Sequence, residues 1–423
     1  MKKYLLLITL LLGGLYVSSQ DLGNIKKLIV LQLYEKAKPG IDTYLSDSKN
    51  AVKAEGWYYK AFVYYSLGRI DTKPLAESQT LLRGAFDALK KYEELDPKLT
   101  LTTEEKNGTV YNIYFGYYDL GVKAYNAKSF PESYELFKRS LEVHDYIYGR
   151  KLSGFNGFKL SAHDTDIVWN LAVLANELKK KDEVIEYYKK IADADLADEK
   201  YATAYDELIL KYKKEKNPEL FSKYLAAAKK HYPVDKPYWE TQEMDFALKG
   251  LENEALFAKY EELTQRMPDN YILFYNYAID IDKYLSSGDS KGKDIAAYRK
   301  KMAELFKKTI SIKSTTEANL QMAKLYYDNT FDLQDKASGI KGTKPEDIKA
   351  KKELIALAKS TMAESIPYAE AAVKQLAVLP EYKFADKINY KLALDILIQA
   401  NKMGGNAAKV AEWEKEKLRV EKL

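Results

Sequence analysis

Apolar and aromatic residues recur along this chain at three- and four-residue intervals, the spacing of one face of a helix. Three stretches share a finer pattern: Trp57 to Gly68, Tyr117 to Tyr125 and Val168 to Ala172. Each has a large aromatic, a Leu/Gly or small pair about one turn later, and another aromatic or small residue a turn beyond. A second apolar stripe follows each one. Ala85 and Leu89, then Ser133, Phe137 and Ser140, then Val184, Tyr188 and Ile191 mark where these return helices pack. The pattern predicts an all-α chain built from consecutive helix pairs.

Punctuation divides the pairs. A first pair runs Asn24–Leu33 and Tyr34–Leu45, with Pro39-Gly40 expected to interrupt its second helix. The second pair returns through Gln79–Leu95 and is closed by Pro97, with Arg69 to Lys73 as a protruding turn. Further pairs are read at Tyr117–Val143, Thr165–Asp193, Ala202–Pro233 and Pro237–Pro268. Tyr205, Tyr212, Leu225 and Ala228, then Leu256, Tyr260 and Leu263, supply the apolar stripes of the last two. Tyr271–Leu285 pairs with Asp294–Ile312. Thr316–Tyr327 pairs with Lys351–Leu379 across a lysine-rich insertion, Asn329–Ala350, whose Gly339, Gly342 and Pro345 suggest a mobile loop. Lys387–Lys402 and the heavily charged Ala407–Lys422 form the last pair.

This repeating arrangement resembles the tetratricopeptide repeat, a helix-turn-helix unit with a period of about 34 residues. The resemblance covers residues 22–423 in outline, is most regular over 50–270 and less regular, with insertions, over 271–423. It implies a right-handed α-solenoid of about seven or eight pairs, each covering its apolar stripe with its neighbour. It further implies that the first helix of each pair lines a groove for a protein or peptide. Aligned on the repeat, the groove positions are Tyr58, Phe62, Tyr65, Tyr118, Tyr125, Trp169, Asn176, Tyr238 and Tyr275. Rings and hydroxyls there suit an extended peptide, or else bury against the adjoining pair. The Lys/Asn/Arg set by which chaperone-binding members grip a C-terminal carboxylate is not evident.

A second candidate surface is the connection Asp145–His163. Phe155 and Phe158 sit there beside Arg150, Lys151 and Lys159, either exposed to a protein or glycan or folded back onto the repeats.

The first twenty residues read as a cleaved export signal: Lys2 and Lys3, an apolar run from Tyr4 to Tyr16, then small and polar residues before Asp21. The apolar run is short for a membrane span, and no stop-transfer segment follows. The expected location is periplasmic or secreted. With no cysteine in the chain there is no disulfide framework and no lipobox cysteine. A Gln before the expected cut, with abundant Tyr and Lys, is similar in style to exported repeat proteins of Bacteroidetes-type bacteria. The formal net charge of +5 falls to +3 without Lys2 and Lys3, too small for its sign to imply a nucleic-acid or membrane partner.

Little in the sequence points to catalysis. The three histidines lack metal-ligand spacing. His163-Asp164-Thr165-Asp166 reads as a helix N-terminus, with Asp164 or Thr165 as cap. Ser46-Asp47-Ser48-Lys49 has the letters of a Ser-x-x-Lys nucleophile without the companion motifs. Gly154 to Gly157 has those of an RNA-clamping loop without the surrounding module. No catalytic, cofactor or metal residue is assigned. The expectation is a noncatalytic envelope scaffold or adaptor binding protein or peptide; the alternative is a glycan-binding protein of a nutrient-uptake system.

Overall fold

The structure, a computed structural model, describes residues 21–152, 154–288 and 290–422; the expected export segment lies outside them. Twenty α-helices account for most of the described residues. In chain order α1 (Leu22–Val30) and α2 (Tyr34–Ser46) form the first hairpin. A short α3 (Ser48–Ala51) leads to α4 (Ala54–Gly68) and α5 (Leu75–Leu95). A short α6 (Thr100–Glu104) precedes α7 (Gly108–Asn126) and α8 (Phe130–Gly149). Next come α9 (Thr165–Glu177) with α10 (Lys181–Asp193), and α11 (Ala202–Lys214) with α12 (Pro218–His231).

A second compact unit begins at Val234. It holds α13 (Lys236–Leu248) with α14 (Asn253–Arg266), and α15 (Tyr271–Ser287) with α16 (Ile295–Ile312). α17 (Thr316–Gly339) with α18 (Pro345–Ala377), and α19 (Phe384–Gly404) with α20 (Ala407–Val420), complete it. Within each unit every hairpin packs on the next, the all-α, solenoid-type stacking expected.

The turns inside hairpins are built alike. Gln32, Lys128, Lys179 and Lys216 each stand two residues after a first helix, with φ between 55° and 61°. The next residue's N–H reaches back five residues: Leu33 to Leu28 O, Ser129 to Ala124 O, Lys180 to Ala175 O, Asn217 to Tyr212 O, at 2.8–3.0 Å. This is the left-handed helix stop usually given to glycine. Gly250 holds the corresponding place between α13 and α14.

Packing explains the Leu/Gly signature. A Cβ on Gly68 or Gly116 would lie 3.1 or 2.9 Å from the side chain of Leu82, which is fully buried. Leu82 of α5 thus wedges between α4 and α7, and only glycine leaves room for it. Ser133, Phe137 and Ser140 are buried on α8, and Ser133 Oγ donates to Gly121 O at 2.8 Å.

Three expectations change. α2 runs unbroken through Pro39. Ala37, Gly40 and Ile41 around it are buried, and that packing outweighs one lost backbone hydrogen bond. The third pair's first helix begins at Gly108, well before Tyr117, because Val110, Tyr111 and Ile113 continue the apolar stripe. Most of Asn329–Ala350 is helix, not mobile loop: α17 continues to Gly339 and α18 starts at Pro345. Proline needs no N–H at a helix start, so this punctuation marks a tight turn.

Candidate functional site on the first-helix face

In the first unit the first helices α4 and α7 lie side by side, each presenting one face between the hairpins. Tyr65 and Ser66 come from α4 and Arg69 from its C-terminus. Asn112, Gly116, Asp119 and Lys123 form one stripe of α7, at the three- and four-residue spacing that puts them on a single face. With Tyr34 of α2 they line a cleft of about 600 Å³. Its polar groups are paired across the helices. Arg69 Nη1 donates to Asn112 Oδ1 and Nη2 to Asp119 Oδ2 at 3.2 Å, while Lys123 Nζ reaches Asp71 O at 3.1 Å. One wall carries the rings of Tyr34 and Tyr65, with Phe62 behind them, edge-on to Tyr65 at 5.1 Å and 6.3 Å from Tyr34.

Glu105 lies close by, just before α7. Its carboxyl accepts the Thr109 N–H at 2.6 Å. Burial raises its pKa, with the Thr109 and Tyr58 hydrogen bonds opposing. Burial, then the Glu105 charge, pushes both the Tyr58 and Tyr65 hydroxyls above the ordinary phenol range. Both phenols therefore stay neutral beside the carboxyl; Tyr58 is buried, and the Tyr65 hydroxyl in the cleft lining can donate or accept a hydrogen bond. Among the described residues no group of three or more His, Asp or Glu side chains is placed to hold a metal ion.

The groove positions named from the repeat fall in different settings. Tyr65 is half-buried in the cleft wall and Phe62 half-buried behind it, whereas Tyr58 is buried against Tyr92 at 5.4 Å. Tyr118 is half-buried against Phe137 at 5.5 Å, with Asn170 of the next first helix at its hydroxyl. Trp169 lies between Tyr188 and Tyr201, 6.4 and 5.5 Å away, in the seam toward α11. Asn176 is exposed, as is Tyr125, which touches Phe130 at 5.6 Å. In the second unit Tyr238 is exposed and Tyr275 is half-buried on Phe306. Only Phe62 and Tyr65 meet as ring neighbours; Tyr58 and Tyr65 share Glu105.

Residues 150–152 and 154–164 form a strap. Phe155 and Phe158 exchange backbone hydrogen bonds of 2.9 Å and set their rings on α7. Phe155 lies over Tyr111 at 6.1 Å, and Phe158 against Phe115 at 5.2 Å and Tyr114 at 6.3 Å. Phe155 is half-buried and Phe158 keeps 42% of its surface exposed. Two anchors hold the strap. Buried His144 meets Ser161 O at 3.0 Å and Asp145 at 2.9 Å. Tyr114 donates to Asp164 at 2.6 Å, and Asp164 also caps α9 through the Ile167 N–H.

Arg69, Glu105, Asn112, Asp119 and Lys123 were not among the positions named from sequence. The α7 stripe was visible as a spacing, but Arg69 lies outside regular repeat positions and joins the cleft only through folding, as Glu105 comes near Tyr65.

No family model matches the chain, and no curated protein does. Among solved structures it is similar to a monomeric mutant of IFIT1 with m7Gppp-AAAA, at 15% identity over 88% of this chain and 74% of that one, TM-score 0.27. It is similar also to the human IFIT1 dimer with PPP-AAAA, at 13% over 96% and 91%, TM-score 0.21. The APC/C hetero-tetramer Cut9–Hcn1 matches at 13% over 94% and 85%, TM-score 0.21. Overlaps this loose set no residue of this chain against a residue of those proteins.

Proposed function

We propose that this chain is a noncatalytic scaffold or adaptor of the cell envelope that holds an extended segment of a partner protein across α4 and α7. The observation that carries the reading is the cleft itself. The rings of Tyr34 and Tyr65, backed by Phe62, face cross-helix polar pairs centred on Arg69, with the Glu105 carboxyl near Tyr65. Rings offer contact area at small entropic loss, and the paired side chains offer donors and acceptors to a peptide backbone. The export signal read at residues 1–20 supplies the compartment.

A photo-crosslinking residue in place of Tyr65, in cells producing the full chain, tests this directly. It is expected to trap one envelope protein, and the same chain carrying Arg69→Ala and Asp119→Ala to trap it weakly. Capture at the same level from both chains, or from none, counts against the cleft. Calorimetric binding of an oligosaccharide abolished by the same substitutions would move the reading to glycan capture. N-terminal mapping of the mature protein by mass spectrometry tests export; an intact Met1 in cytosolic extract removes the envelope from the proposal.

A further inference from the structure

The hairpin α17–α18 is the longest pair among the described residues, at 24 and 33 residues. At 1.5 Å per residue α18 extends about 50 Å. Its first buried residue is Ala358, so over residues 345–357 no side chain is buried. Two core clusters of this unit take residues of α17 up to Tyr327 and of α18 from Ile366 onward. Beyond these limits Thr330, Ala337, Ala358 and Met362 are still buried, and the part left bare is α18 over residues 345–357.

That end is chemically distinct from the rest of the chain. Residues 336–359 carry seven lysines against three acidic residues, a net +4 in a chain whose total is +5. They contain no arginine and no aromatic residue. Ile348 and Ile355 are 47% and 51% exposed. At 100° per residue, Ile348, Lys352, Ile355 and Lys359 fall on one stripe down a flank of α18. A helix of this make, basic and aliphatic along one strip, fits the boundary between headgroups and acyl chains. Single-stranded nucleic acid is held on stacking rings and protein hot spots on Trp, Tyr and Arg anchors; the tip has none of these, and its lysines and isoleucines leave charge and aliphatic surface as its means of contact.

From this juxtaposition we infer that the α17–α18 tip docks on an anionic lipid surface. The α18 lysines sit among the headgroups, with Ile348 and Ile355 in the layer beneath. No helix of the described residues is long and apolar enough to cross a membrane, so the contact is peripheral. The inference does not rest on the peptide cleft.

Because the chain has no cysteine, a single dye can report on this spot in the full-length protein. Ile355→Cys carries a polarity-sensitive fluorophore; Val52→Cys, exposed in the first unit, carries the reference. The vesicles are phosphatidylcholine alone, or with about one third phosphatidylserine. The dye at 355 is expected to shift to the blue on the phosphatidylserine vesicles only, while the reference stays unchanged. Adding Lys349→Glu, Lys352→Glu and Lys359→Glu is expected to raise the lipid needed for half the shift by at least on the order of a hundredfold. Circular dichroism should show the helix content of these exposed-site variants unchanged. No shift at 355, an equal shift on neutral vesicles, or an equal shift of both dyes overturns the inference. So does a shift produced by duplex DNA and not by vesicles.

Discussion

The hairpins α9–α10 and α17–α18 share one plan and differ in how much of their length is used for packing. Each helix of α9–α10 has 13 residues, and buried positions run from Ile167 to Ala175 and from Val184 to Ala192. α17–α18 repeats that economy only at its base. Beyond it the helices continue on their own pairing, and α18 spends its first 13 residues without a buried side chain. The period of a repeat sets how helices stack; the length of a helix past its neighbours decides what is left for water or a second surface. The short hairpin is scaffold throughout, whereas the long one is scaffold at one end and an exposed limb at the other.

The largest expected contrast comes from emptying a packed position and an overhanging one. Phe137→Ala, in the equally well-packed α8, should destabilise the chain by about 3–5 kcal/mol. Ile355→Ala should stay within about 0.5 kcal/mol. Urea or thermal unfolding followed by circular dichroism measures both, and similar losses would erase the distinction. Next in size is Asp164→Ala, which removes the α9 cap and the acceptor of the Tyr114 hydroxyl together. A loss of about 1–2 kcal/mol is expected; Tyr114→Phe, which leaves the cap, should recover roughly half of it.

A smaller effect runs the other way. Lys179 holds a left-handed backbone at the α9–α10 turn, a conformation that strains a side chain more than glycine. Lys179→Gly should therefore raise stability by up to about 1 kcal/mol, and a fall in melting temperature would show the lysine making contacts that outweigh the strain.

The smallest expected effect is one of pH. Burial opposes the charged form of His144, but the bonds to Asp145 and Ser161 O outweigh it and raise its pKa. Protonation is thus favoured in the folded protein. The contribution to strap docking is full below the ordinary value near 6.5 and fades as pH rises through the raised one. Proteolysis within 150–160 should accordingly slow in mild acid, and His144→Gln should flatten that dependence.

Sequence reading went furthest where repeats are regular. The stripes at Tyr117–Tyr125 and Ser133–Ser140 define a hairpin wherever they occur, since each helix has one apolar face to cover. It failed at Pro39 and at Asn329–Ala350, where local helix-breaking signals lost to burial of Ala37 and Ile41 in one case and to pairing of two long helices in the other. The cleft was legible only in part. Tyr65 and Phe62 follow from the repeat, but Arg69 with Asp119 is a contact across 50 positions, and no local pattern announces it. Whether an aromatic at a groove position faces a ligand or a neighbour was equally hidden. Trp169 lies in a seam and Tyr125 in solvent, though both occupy aligned places.

The chain's own order of apolar and polar residues thus determined that it is helical, that its helices come in pairs and where most pairs turn. Those choices are made within a few turns, by the need of each helix to bury one stripe. Which side chains converge on the α4–α7 cleft, which strap covers α7 and which hairpin end stays bare were decided only in three dimensions. Each depends on the length and tilt of a neighbour that lies tens of residues away.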